Sequence, residues 1–116
     1  MGKDVEIYLK TKDGKAPDLL FNLPNGFELV EVGELDDEIE GATHCISTLV
    51  RYYGKGYERG PFHIICAVLM LLHESDDVET VWYGNDDYVS SEPFTKEDTS
   101  NLALHFMNNG SKPYKK

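Results

Sequence analysis

The residues best placed to do chemistry lie in the run Tyr52-Tyr53-Gly54-Lys55-Gly56-Tyr57-Glu58-Arg59-Gly60-Pro61-Phe62-His63. Three glycines, three tyrosines and two cations here join a strong strand pattern to the most apolar helix pattern in the chain. A glycine-rich turn entering a helix can direct backbone N–H groups at an anion, and the helix dipole adds favourable potential. Lys55 and Arg59 would strengthen such a site, and Tyr53 and Tyr57 could flank a ring or a base. The spacing Gly54-x-Gly56-x-x-x-Gly60 is neither the dinucleotide fingerprint nor the phosphate-binding loop of nucleotide hydrolases. Pro61 also deletes one helix-end donor. The competing structural reading is a sharp turn, with tyrosines packed on the sheet edge and Arg59 paired to a local carboxylate.

Asp86 and Asp87 follow the run Trp82-Tyr83-Gly84 at the end of a predicted strand. Ligands of sheets with crossover helices favour the carboxyl ends of the strands. Lys55, Tyr57, Arg59, Asp86 and Asp87 therefore converge if both segments leave the sheet at one end. Two segments at opposite ends would exclude this groove. The bland alternative for Asp86-Asp87 is a solvated turn.

His63, Cys66, Met70 and His73 fall at i, i+3, i+7 and i+10, near one another around a helix. Cys66 and His73 are about 10.5 Å apart along the axis at 1.5 Å per residue, too far to share one ion. A catalytic thiol favours a helix N-terminus, whereas Cys66 is mid-helix. This stripe is expected to serve packing, and no metal or cofactor is expected. His44 and Cys45 are neighbours on a strand and must face opposite ways. A Cys45–Cys66 disulfide requires strand and helix to touch there. A reduced, cytoplasmic setting is the simpler expectation for a chain with two cysteines.

Charge is the second informative feature. The formal net charge is −10. Residues 28–40 carry Glu28, Glu31, Glu34, Asp36, Asp37, Glu38 and Glu40 without a lysine or arginine, and residues 74–98 carry nine carboxylates against Lys96. Such a field disfavours direct nucleic-acid binding and anionic membranes, and attracts basic protein surfaces. Plain solubility is the alternative reading of the same charge.

These residues need a scaffold, and the chain has the length for one domain, 116 residues. A single domain over 1–110 with a frayed basic tail over 111–116 is expected. No apolar run follows Met1, so no signal peptide is expected. The longest apolar run, Ile64–Leu72, is nine residues, against about 20 for a membrane span.

Val5, Ile7 and Leu9 alternate with Glu6, Tyr8 and Lys10, which predicts a half-buried strand ended by Asp13-Gly14. Residues 15–26 read as a loop carrying the apolar patch Leu19-Leu20-Phe21. Phe27–Leu35 reads as a second strand. Thr43–Tyr53 reads as a third, with Ile46, Thr48, Val50 and Tyr52 on one face and Cys45, Ser47, Leu49 and Tyr53 on the other. Apolar groups on both faces place it centrally in its sheet. Gly60-Pro61 opens a helix closed by Ser75-Asp76-Asp77. Being apolar all round, that helix is expected to be covered on its back as well. Val78–Gly84 reads as a fourth strand, followed by a polar loop. Thr95-Lys96-Glu97-Asp98 is a capping box for a last helix that stops at Asn109-Gly110.

The expected fold is an α+β two-layer sandwich, a mixed sheet of about four strands with two helices, in the order β-β-β-α-β-α. The first three strands most simply form a meander, and the strand–helix–strand unit a crossover with parallel strands. No reaction is named by these motifs. The reading that fits best is a small acidic, non-enzymatic protein-binding module, in which residues 34–40 engage a basic surface. It could act as an inhibitor of a nucleic-acid-handling partner. Tyr52, Tyr53, Tyr57 or Trp82 would be its aromatic anchors. The alternatives are a small-ligand or phosphate-binding domain, or a compact transferase, using the Gly54–His63 segment, and a structural homodimer.

Overall fold

The computed structural model describes residues 2–16, 23, 27–31, 39, 41–51, 60–85, 88–89 and 91–109. Its elements are β1 (Gly2–Thr11), β2 (Phe27–Glu31), β3 (His44–Arg51), α1 (Gly60–Glu74), β4 (Val78–Asn85), β5 (Tyr88–Val89) and α2 (Lys96–Asn109). The sheet order is β2-β3-β1-β4-β5. The α+β class and the β-β-β-α-β-α succession are those the sequence predicts. The two-residue β5 is an addition, between the two polar stretches expected to form a loop.

The neighbour relations differ from expectation. β1 pairs antiparallel with both β3 and β4. β3 and β4 thus point the same way but are not neighbours, because β1 lies between them. Every pairing in the described sheet is antiparallel. Nor do the first three strands form a meander, since β2 pairs with β3 and β1 lies on β3's other side. Alternation shows which side chains share a face. It carries no information on which strand lies alongside. β2 is described to Glu31, and the remainder of the expected second strand, 32–35, lies outside the described residues.

Register assigns the two faces. Ile7 lies between Ile46 and Tyr83, and Tyr8 between Cys45 and Trp82. The first row belongs to the main core with Val5, Leu9 and Val81, closed by Ile65, Val68, Leu69 and Leu72 of α1 and by Leu102 and Phe106 of α2. Both helices therefore cover one face of the sheet. The second row forms a separate cluster on the other face with Ile39. The central strand position expected of β3 is observed, and β1 is equally enclosed.

The helix ends follow local chemistry. The Asp98 N–H donates to Thr95 Oγ1 at 3.1 Å, and the Thr95 N–H donates back to Asp98 Oδ2 at 2.8 Å. This is the reciprocal capping box that the sequence announces. Gly14, after β1, has φ +76°, a backbone state that favours glycine, and Asp13 Oδ1 accepts the Lys15 N–H at 2.9 Å across that turn. No helix among the described residues is long and apolar enough to cross a membrane.

α1 departs from expectation on its outer side. Ile65, Leu69 and Leu72 are fully buried, but Ile64 and Met70 are each 38% exposed and Leu71 56%. The helix has a core on one side and α2 against it, and no third layer among the described residues. Apolar composition alone signalled burial all round; the two-layer architecture does not supply it.

Candidate functional site

The candidate groove depends on where β3 and β4 end. Arg51, the last residue of β3, pairs with Gly2, and Asn85, the last of β4, pairs with Val5. Both strands thus finish at the N-terminal end of β1. The last residues of the two strands, Arg51 and Asn85, thus lie toward the same end of the sheet with β1 between them and a three-residue stagger along it, about 14 Å apart at ~4.8 Å per strand spacing and ~3.3 Å per residue. Topology therefore permits the expected convergence without a direct β3–β4 pair. Tyr53, Gly54, Lys55, Gly56, Tyr57, Arg59, Asp86 and Asp87 themselves lie outside the described residues, as do Glu34, Asp36, Asp37, Glu38 and Glu40.

Trp82 is the member of the set whose placement is described. It sits on the face away from the helices, 7% exposed, beside Tyr8, Cys45 and Ile39. Its indole N–H donates to the Ser91 carbonyl at 3.2 Å. The ring and its polar handle are both engaged within the chain, so a partner meeting Trp82 would touch only its remaining edge.

The His63–Cys66–Met70–His73 stripe is divided by its own angular spread. His63 and Met70 face outward, whereas Cys66 and His73 are half-buried. Burial pushes the Cys66 thiol up to about 11, the opposite of what a nucleophile requires. Cys45 lies in the cluster on the far face of the sheet and Cys66 packs against the main core. Both are free thiols, and the sheet between them explains why they do not bridge. His44 and Cys45 face opposite ways, as strand geometry demands. Among the described residues, no group of three or more His, Cys, Asp or Glu side chains is gathered as a metal site requires.

No local pattern announces the polar network at the other end of the sheet. His73 Nε2 is 3.0 Å from Thr99 Oγ1, and Thr99 Oγ1 donates to the Thr95 carbonyl at 3.1 Å. The hydroxyl has one proton and gives it to that carbonyl, so His73 donates from Nε2–H. Beside this network is a cavity of about 280 Å³, lined among others by Leu72, His73, Glu79, Thr80, Phe94 and Thr95. Its residues come from α1, β4 and the segment before α2, and no local pattern joins them.

Burial is the main cause lowering the His73 pKa below its ordinary 6.5; Lys96 adds to it, and Asp98 and Glu74 oppose it. The unfolded chain then binds more protons than the folded one between the folded pKa and 6.5. This contribution to stability is fully present above about pH 6.5 and is lost as pH falls through that window. Replacing His73 with Gln should flatten the change in unfolding free energy between pH 7.5 and 5, measured by urea denaturation. Parallel pH profiles for the two proteins would refute the assignment.

Compared with protein-family models, curated proteins and solved structures, the chain matches none, so its functional reading rests on its own residues.

Proposed function

We propose that this chain is a non-enzymatic, protein-binding module of the cytoplasm that engages a basic surface on its partner. The observation that carries the reading is that β3 and β4 close toward the same end of the sheet, at Arg51 and Asn85. The net charge of −10 supplies the steering field. Glu34, Asp36, Asp37, Glu38 and Glu40 add a second acidic segment. A basic groove that otherwise holds nucleic acid is the chemistry such a module would occupy, which would make it an inhibitor.

The test is capture of partners on the immobilised chain at about 50 mM and 500 mM salt, conditions spanning roughly threefold in Debye length. A basic protein retained at low salt and weakened at least tenfold at high salt is expected. Exchange of the five acidic residues for Asn and Gln should weaken it comparably. Retention indifferent to both changes would overturn the reading.

A small-ligand site is the second reading, and the cavity beside His73 favours it. Its volume, about 280 Å³, lies just below the roughly 300–1,000 Å³ of ordinary ligand pockets. The Gly54–His63 segment is the other location for such a ligand, where a bulky residue at Gly56 should abolish binding while leaving the fold intact.

A further inference from the structure

The outer side of α1 has a pattern of its own. Ile64, Ala67, Leu71 and Glu74 recur at alternating steps of three and four residues, with His63 and Met70 beside them, and all six are exposed. That spacing is the seam by which one helix packs along another. The core-facing set, Ile65, Val68, Leu69 and Leu72, is distinct from it and already satisfied. α1 therefore carries two apolar stripes, of which the fold uses one.

We infer that the second stripe joins two copies of this chain, α1 against α1, antiparallel about a two-fold axis near Ala67. Three observations choose a second copy as the occupant. The first is register. An antiparallel pair centred on Ala67 sets Ile64 of one copy against Met70 of the other, and His63 against Leu71. Each contact occurs twice, as an isologous interface requires. Ala67 at the centre has the smallest side chain of the stripe and lets the helices approach.

The second is charge. In a chain of net charge −10, α1 has no Asp, Glu, Lys or Arg before Glu74. It is the element on which two such chains can meet with least repulsion. Glu74 also sets the direction. A parallel pair would bring the two Glu74 side chains together. The antiparallel pair holds them about 21 Å apart along the axis at 1.5 Å per residue, well beyond the ~8 Å Debye length. Within its own chain Glu74 is ion-paired with Lys96, and the antiparallel pair keeps the two ion pairs apart.

The third is area. Leu104 and Met107 of α2, 56% and 61% exposed, lie on the outer side of the same helix layer. With Ile64, Met70 and Leu71 they offer on the order of 500 Å² of apolar surface per copy, at the upper end of a monomer's ordinary largest patch. A standard interface uses about 800 Å² per partner. The assembly is accordingly a reversible dimer whose population follows concentration. It uses the helix layer, not the end of the sheet, and stands independently of the acidic binding reading.

The test is the mass of the full chain in solution by sedimentation across a concentration series. Mass should rise from 13.1 kDa toward twice that value. Leu71→Glu, a change at a position 56% exposed, should remain at the monomer mass with an unchanged circular dichroism spectrum. A wild-type chain that stays monomeric throughout, or a Leu71→Glu chain that dimerises equally, would overturn the inference. In a Cys66→Ala background, oxidation should cross-link Ala67→Cys to its copy and leave Leu71→Cys uncoupled. Efficient cross-linking through Leu71→Cys, or none through Ala67→Cys, would overturn the antiparallel register.

Discussion

Leu9→Ala should cost about 3 kcal/mol of folding stability and lower the melting temperature by roughly 10 °C. Leu9 is fully buried in β1, with Val81 opposite it on β4, under the helix layer. Removing its branched end deletes buried apolar surface and leaves a cavity that neighbours on three sides can only partly close. A domain of this size has about 5–15 kcal/mol in hand, so this single truncation consumes a large share. Leu9→Ile keeps the volume and should cost less than about 1.5 kcal/mol. Urea denaturation of the two variants distinguishes lost volume from altered strand propensity. A Leu9→Ala penalty below about 1 kcal/mol would mean that the front of the sheet is not packed as described.

Trp82→Ala should be the most damaging change on the opposite face, at about 3–5 kcal/mol. The residue closes the row with Tyr8 and Cys45 and ties the chain after β5 back to β4 through the Ser91 carbonyl. Trp82→Phe separates these contributions, since it keeps most of the ring and loses the hydrogen bond. Ser91 is exposed, so water can replace the donor, and about 1–2 kcal/mol is expected. Equal losses for Ala and Phe would show that the hydrogen bond, rather than packing, holds this face. Trp82 is the chain's single tryptophan, so its emission reports this face directly: blue-shifted when folded and red-shifted on unfolding.

Much of the local structure was legible because its determinants are local. Gly60-Pro61 and Ser75 bracket α1 as observed, Thr95 and Asp98 form the cap of α2, and the alternation of Val5, Ile7 and Leu9 marks the inward face of β1. The sheet order was not legible. Tyr8 meets Trp82 across 74 positions of sequence, and neither residue's neighbours announce the other. The outer stripe of α1 was misread for a related reason. Leu71 and Leu72 are equally apolar in the sequence, and only the tertiary arrangement leaves one 56% exposed and the other fully buried. Of the candidate site, the expected parallel pair of β3 and β4 is replaced by two strands that point the same way with β1 between them, and the side chains expected beyond their ends lie outside the described residues. The network of His73, Thr99 and the Thr95 carbonyl escaped detection because its two side chains lie 26 positions apart on different helices.

The place of β1 between β3 and β4 also orders events in time. β1 can complete its pairing only after β4, some 70 residues later, is in hand. Until then it can pair along β3 and holds its other edge open. Contacts so distant in sequence form slowly, because a long loop must close before they reward it. During that interval the open edge of β1 can be captured by another molecule's edge, and a chain can exchange strands before its own β4 arrives.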